Sequence, residues 1–269
     1  MIVLKILTWI FIVVLVFVMG QFLIAVYDAL NFKNEPLNGG FQIIKEILQE
    51  AVLTFFSVLT YGFGFFNYDY LFLKSEKKQY PPVLLVHGYT MNRACFIFIH
   101  LRLVMDGFRV FTVNLYPPFS SIESLSDIVA DKMDEIAEKT GEKEAYLVCH
   151  SMGGLVARYY SATPRGVGRV KKLITIATPH NGTRIAVLGK GRNAEEMKPG
   201  SEFLKKLNEL PVPEIYAIWS TLDNLIIPPE HAFIKGMPNT SLQFKGHITL
   251  LYSNEVYKHI KDTLTPKVG

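Results

Sequence analysis

Cysteine is nearly missing from this sequence. The 269 residues contain two, Cys95 and Cys149, which exclude a disulfide framework and a cysteine metal cluster. Each lies in an apolar run expected to be buried, so they are not expected to pair. Also missing is any basic run with interleaved aromatics of the kind that grips nucleic acid, and no nucleic-acid partner is expected. No internal repeat or low-complexity tract occurs. Charged residues make up only 19% of the chain, with a net charge of +4. Residues 71–269 hold 25 Lys/Arg against 19 Asp/Glu, an interspersed surplus of six. That reads as a solubilising surface, with attraction to anionic lipid headgroups as the second reading.

Charge disappears altogether between Ile6 and Tyr27. As a helix that run covers roughly 33 Å, enough to cross a hydrocarbon core of about 30 Å. It is longer than the apolar part of a cleaved signal peptide, and "FLIAVYDAL" is a poor cleavage site, so an uncleaved anchor is expected. A second apolar stretch, "EAVLTFFSVLTYGFGFF" (50–66), reads either as an amphipathic helix on the membrane surface or as a short second span. The two readings place the rest of the chain on opposite sides. Residues 1–70 are therefore expected to form a membrane-anchoring and juxtamembrane helical region, with a catalytic domain over 71–269.

From Tyr80 onward, short apolar runs alternate with helical periods, the mark of an α/β sheet. Strands are predicted at 82–86, 108–113, 145–149, 172–177, 214–220 and 241–245. Helices are predicted at 94–107, 124–141 (capped by Ser124 or Ser126 and ended by Gly141), 154–162 and 248–264. Residues 184–213, of mixed polarity, are the expected cap or lid.

The stretch "YLVCHSMGGLVARYY" (146–160) joins a strand to a helix through a serine. A small-x-Ser-x-Gly corner forces the serine backbone into an unfavourable conformation and lifts its hydroxyl above the sheet edge. A serine nucleophile needs a base, and the base an orienting carboxylate. "IWSTLDNLIIP" supplies Asp223 three residues past a strand, and "FKGHITLL" supplies His247 after the last strand. The chain order Ser151, Asp223, His247 is the order this sheet topology demands. The Met152 and Tyr89 N–H groups are the candidate oxyanion donors. Phe96, Phe119 and His180 are the candidate substrate contacts, while His87 and His150 are read as packed loop residues.

The segments "LLVHGY", "CHSMGGLVARYY", "ITIATPHNGT", "STLDNLIIP" and "GHITLL", in this order, resemble the α/β-hydrolase superfamily, and more narrowly its bacterial lipase/esterase-type members. The resemblance covers roughly 80–265 and departs at Cys149, where glycine is usual. It implies a mostly parallel central sheet flanked by helices, carboxylic-ester hydrolysis without a cofactor or metal, and Ser151, Asp223 and His247 as nucleophile, acid and base. With the anchor, the expected partners are a lipid bilayer, that of the bacterial cytoplasmic membrane, and a lipid or long-chain acyl ester. An acyltransferase or thioesterase using the same triad is the alternative, and a silent membrane scaffold the remote third.

Overall fold

The computed structural model describes residues 2–32, 40–69 and 80–265. The expected boundary at 70/71 lies outside the described residues. Six strands form one parallel sheet: β1 (Val83–Val86), β2 (Val110–Val113), β3 (Ala145–His150), β4 (Val170–Ile176), β5 (Ile215–Ser220) and β6 (Asn239–Leu242). Their spatial order is β2-β1-β3-β4-β5-β6. β1 and β2 are buried along their whole length, as strands covered on both faces by helices must be.

The two-residue period of the strands sorts the core onto two faces. Leu84, Val86, Leu147, Cys149 and Leu173 point to one face, where α4 (Ile122–Thr140), α5 (Met152–Ala162) and α7 (Glu202–Glu209) pack. Val83, Leu85, Val148 and Ile174 point to the other, under α3 (Ile97–Met105) and α8 (Asn254–Leu264). Cys95 and Cys149 are both buried and unpaired, as the sequence suggested.

Two long helices precede the sheet, α1 (Ile2–Phe32) and α2 (Gly40–Thr60). Among the described helices, α1 is the one long and apolar enough to cross a membrane. It does not stand apart from the rest. Val14, Val18 and Phe22 of α1 join Ala51 of α2 and Leu222 in a third apolar cluster, and Phe11 meets Phe55 edge-on. Near its C-terminal end, Asp28 of α1 pairs with Arg184. α2 presents Glu46, Glu50 and Ser57 to the sheet domain and leaves Phe41, Ile44, Leu48 and Val52 outside. The inward carboxylates make α2 a helix laid on the domain.

Several boundaries differ from the sequence reading for local reasons. The helix expected at 94–107 begins as a 3₁₀ turn, Arg93–Phe96, because Asn92 caps it, its Oδ1 accepting the Ala94 N–H at 3.0 Å. α4 starts two residues early, at Ile122. Its cap is Ser121, which accepts from the Ser124 N–H at 3.1 Å, and Gly141 ends it in the left-handed region at φ 75°. The helix expected at 248–264 is split, with a 3₁₀ turn over Thr249–Tyr252 and Ser253 capping α8. The strand expected at 241–245 ends at Leu242, since Phe244 has φ 53°. Of the expected lid, α7 belongs to the main core through Phe203, Leu204 and Leu207. The preceding stretch, with α6 (Arg192–Glu196), also enters that core through Ala186 and Met197, and it meets the loops after β1 and β2 through Lys190 and Gly191.

A buried ion pair ties the segment after α2 to the sheet. Asp69 accepts the Thr112 N–H at 3.0 Å and the Thr112 hydroxyl at 2.6 Å, and Lys132 of α4 reaches its other oxygen at 2.9 Å. Removing Asp69 leaves the buried Lys132 with only the partly exposed Glu135, 3.1 Å away, and removing one member of a buried pair is strongly destabilising. Asp69→Ala should therefore destabilise by about 3–5 kcal/mol, read as a lower denaturant midpoint; an unchanged midpoint would contradict the assigned pair.

Candidate active site

The strand order turns back at β1. β2 adds on one side of β1 and β3 on the other, so the crevice between β1 and β3 is the switch point, where open parallel sheets bind ligands at the C-terminal strand ends. Gly88 follows β1 there and Ser151 follows β3. Ser151 has φ 56° and ψ −132°, a strained conformation for a residue with a side chain. The neighbours explain how it is held. A Cβ on Gly153 would collide with the Val86 and His87 carbonyls, and one on Gly154 with Thr178. A Cβ on Gly88 would lie 2.7 Å from Ser151 Cβ. Strand, helix and loop thus pass as closely as backbones allow, and Ser151 remains partly open to solvent. Cys149 sits inside the sheet between Val86 and Thr175, where its small side chain is fully buried.

His247 and Asp223 are brought together. Nδ1 of His247 lies 3.0 Å from each Asp223 oxygen. The carboxylate only accepts, so Nδ1 donates and Nε2 is left as the basic nitrogen. Asp223 is itself fixed by the Leu225 and Ile226 N–H groups at 2.8 Å each. Burial opposes a charge on the imidazole. The Asp223 carboxylate, by charge and by hydrogen bond, and then Glu50 outweigh it, raising the His247 pKa above the ordinary 6.5. Among the described contacts, no hydrogen bond joins Ser151 Oγ to His247. The link between them is His150, the residue before the serine. Its ring lies 4.5 Å from the His247 ring, and its Nε2–H donates to the His247 carbonyl at 3.2 Å.

His87 is structural, as the sequence suggested. Its Nε2 accepts the Leu115 N–H at 2.9 Å, so Nδ1 carries the proton and donates to the Gly88 carbonyl at 2.9 Å. Burial lowers its pKa to about 4 and keeps it neutral. The loop after β1 is thereby set against Ser151. Among the described residues, neither the Tyr89 nor the Met152 N–H donates to a protein acceptor. The Tyr89 side chain bridges to Lys190, with its hydroxyl donating to the Lys190 carbonyl at 2.8 Å, and its ring lies 6.0 Å from that of Phe119. Phe119 is half-exposed at this edge. The other two expected substrate contacts, Phe96 and His180, are buried in the resting structure. Phe96 is fully buried among Cys95, Ile99 and Leu103, on the far face of the sheet. His180 is fully buried against Thr175, 3.1 Å from its hydroxyl.

Residues that sequence reasoning missed hold the His247 turn. Asn224 Oδ1 accepts the His247 N–H at 2.8 Å, and its amide donates to Gln21 of α1 at 2.7 Å. Glu46 accepts the Gly246 N–H at 2.7 Å. Glu50 accepts the Ile248 N–H at 2.8 Å, the Thr249 N–H at 2.7 Å and the Thr249 hydroxyl at 2.8 Å. Burial raises the Glu50 pKa despite these donors and His247. Three hydrogen bonds to a charged acceptor, about 1.5–3 kcal/mol each, are on the scale of the several kcal/mol lost by desolvating it. The one available signal was a pair of carboxylates four residues apart on one face of an apolar helix.

A family model described as alpha/beta hydrolase fold matches residues 81–193. The solved structures agree. The mature form of the Bacillus licheniformis lipase BlEst2 superposes with a TM-score of 0.64 at 16% identity, over 71% of this chain and 94% of that one. Aspergillus fumigatus lipase B gives 0.62 at 17%, over 71% and 54%. A Bacillus anthracis bromoperoxidase gives 0.53 at 14%, over 69% and 92%. Sheet order, the strand–serine–helix corner and the match over 81–193 show the alpha/beta hydrolase fold. At 14–17% identity these neighbours share the fold, and the chemistry must be argued from the site.

An imidazole titration by NMR should put His247 above 6.5 and keep His87 neutral down to about pH 4. Asp223→Asn should lower the His247 value. A wild-type value at or below 6.5 would contradict the assigned pair.

Proposed function

We propose that this protein is a membrane-associated serine hydrolase that cleaves carboxylic esters of lipids or long-chain acyl groups. The observation that carries this is Ser151: a hydroxyl-bearing residue held at φ 56°, at the switch point, with Gly88 against it. Such strain persists only where the surroundings enforce it, and it marks functional corners.

In this reading Ser151 Oγ attacks the acyl carbonyl carbon as His247 Nε2 takes its proton. Asp223 orients the ring and stabilises the imidazolium. The Tyr89 and Met152 N–H groups, without protein acceptors among the described residues, receive the developing oxyanion. The imidazolium then protonates the leaving alkoxide. Water, deprotonated by His247, releases the acid and restores the serine. The Ser151–His247 hydrogen bond forms as substrate binds, since such bonds tighten from longer resting geometries.

Two features support a lipid substrate and membrane association. α1, α2 and the turn after them expose Trp9, Phe17, Phe41, Leu48, Phe63 and Phe65, a surface far larger than scattered apolar residues give. α1 is also engaged through Gln21 and Asp28. Those contacts favour a retained helix over a cleaved signal sequence. Phe119 and Tyr89 form an aromatic edge where an acyl chain enters.

Purified protein in detergent or liposomes should hydrolyse p-nitrophenyl esters faster as the acyl chain lengthens, and should release fatty acid from phospholipid vesicles. Ser151→Ala should lower turnover by about 10³–10⁶-fold. Short-chain activity alone would contradict the lipid reading. Absence of any Ser151-dependent hydrolysis would contradict the hydrolase reading, and ester formation with an added alcohol would then mark an acyltransferase. The acid limb of kcat/KM should fall as His247 protonates, with its midpoint above the ordinary 6.5; a midpoint well below would remove His247 as the base.

A further inference from the structure

The turn that carries His247 is held almost entirely from outside itself. The N–H groups of Gly246, Ile248 and Thr249 go to carboxylates of α2, and the His247 N–H goes to Asn224, which in turn is held by Gln21 of α1. Glu50 alone receives three donors from this turn and is 1% exposed. The fit is close enough that a Cβ on Gly246 would collide with the Glu50 carboxylate.

We propose that Glu50 is a positioning residue for His247, fixing from α2 the turn that presents the imidazole, so that the N-terminal helix pair is part of the catalytic apparatus and not only an attachment to lipid. This rests on the hydrolase reading above. A buried carboxylate is a poor way to glue a helix to a domain, because an apolar side chain of similar volume packs at least as well. Beside an imidazole that must accept a proton, a second negative charge has a use. The groups facing His247 are Asp223 from the loop after β5, His150 at the end of β3 and Glu50 from α2, with Glu46 and Lys245 flanking at Gly246. Of these, Asp223 and Glu50 favour the protonated ring. Asp223 aims the ring and Glu50 aims the backbone that carries it.

The test uses the full-length protein in detergent micelles, with melting temperature measured alongside. Glu50→Gln should lower kcat by about 10- to 100-fold, the scale of a misplacement near the chemistry, with KM within about twofold because the pocket for the acyl chain is untouched. It should also move the acid limb of kcat/KM, and the His247 titration read by NMR, to lower pH. Glu50→Asp, which keeps the charge, should bring both back toward the wild-type position. Thr249→Val, which removes one donor and leaves the charge, should lower kcat less and leave the acid limb in place. A folded Glu50→Gln protein with wild-type kcat and an unmoved His247 titration would overturn the proposal. If Glu50→Gln fails to fold, wild-type kcat in both Thr249→Val and Glu50→Asp would overturn it. Wild-type protein lacking Ser151-dependent hydrolysis would overturn the hydrolase reading instead, and the His247 titration of Glu50→Gln would still decide the role of Glu50.

Discussion

Everything at this site depends on how closely three backbones pass at Ser151. β3 turns into α5 at a residue whose φ is 56°, the exit of β1 presses against it, and the first turn of α5 lies on the carbonyls of Val86 and His87. The strain cannot relax, because Gly88, Gly153 and Gly154 leave no room for a different path. The closeness comes from the parallel register. Val86 pairs with Cys149, so the loops leaving both strands emerge at one level. A site at the C-terminal edge follows from that register and from the reversal of strand order at β1.

The second half of the site is built differently. Asp223 and His247 sit on loops after β5 and β6, and β6 is short, with an exposed start. Sheet pairing alone gives those loops little rigidity. It is supplied by polar contacts buried under α1 and α2: Gln21 to Asn224, and Glu46 and Glu50 to the turn at 246–249. Such contacts are costly unless every member is satisfied. The helix pair has an apolar outer face, and its inner face commits Gln21 to the loop after β5 and Glu46 and Glu50 to the turn that carries His247.

Much of this was legible in the sequence because it rests on local pattern. Strand–serine–helix with two glycines is readable without a structure, and so is the placement of Asp223 and His247 after late strands. What was not legible depends on tertiary packing. Phe96 and His180 are close in sequence to site loops, yet the alternation of faces sends Phe96 to the far core, and the turn after β4 folds His180 inward onto Thr175. Nothing local says which side of a strand-to-helix loop an aromatic will choose. Glu46, Glu50 and Gln21 lie about 200 residues or more from the groups they bind. Periodicity reports an amphipathic helix in such cases, and only the docked fold tells what its polar face is for.

The central claim is that one point in space, beside Ser151, is served at once by a nucleophile, a base and two oxyanion donors. The most direct test is a crystal structure of the protein after reaction with a fluorophosphonate. The account predicts a single phosphorus–oxygen bond to Ser151 Oγ, with the phosphonyl oxygen about 2.7–3.1 Å from the Tyr89 and Met152 nitrogens and His247 Nε2 turned to the adduct. A phosphonate on another residue, or a Ser151 adduct whose oxygen points away from both amides, would contradict it.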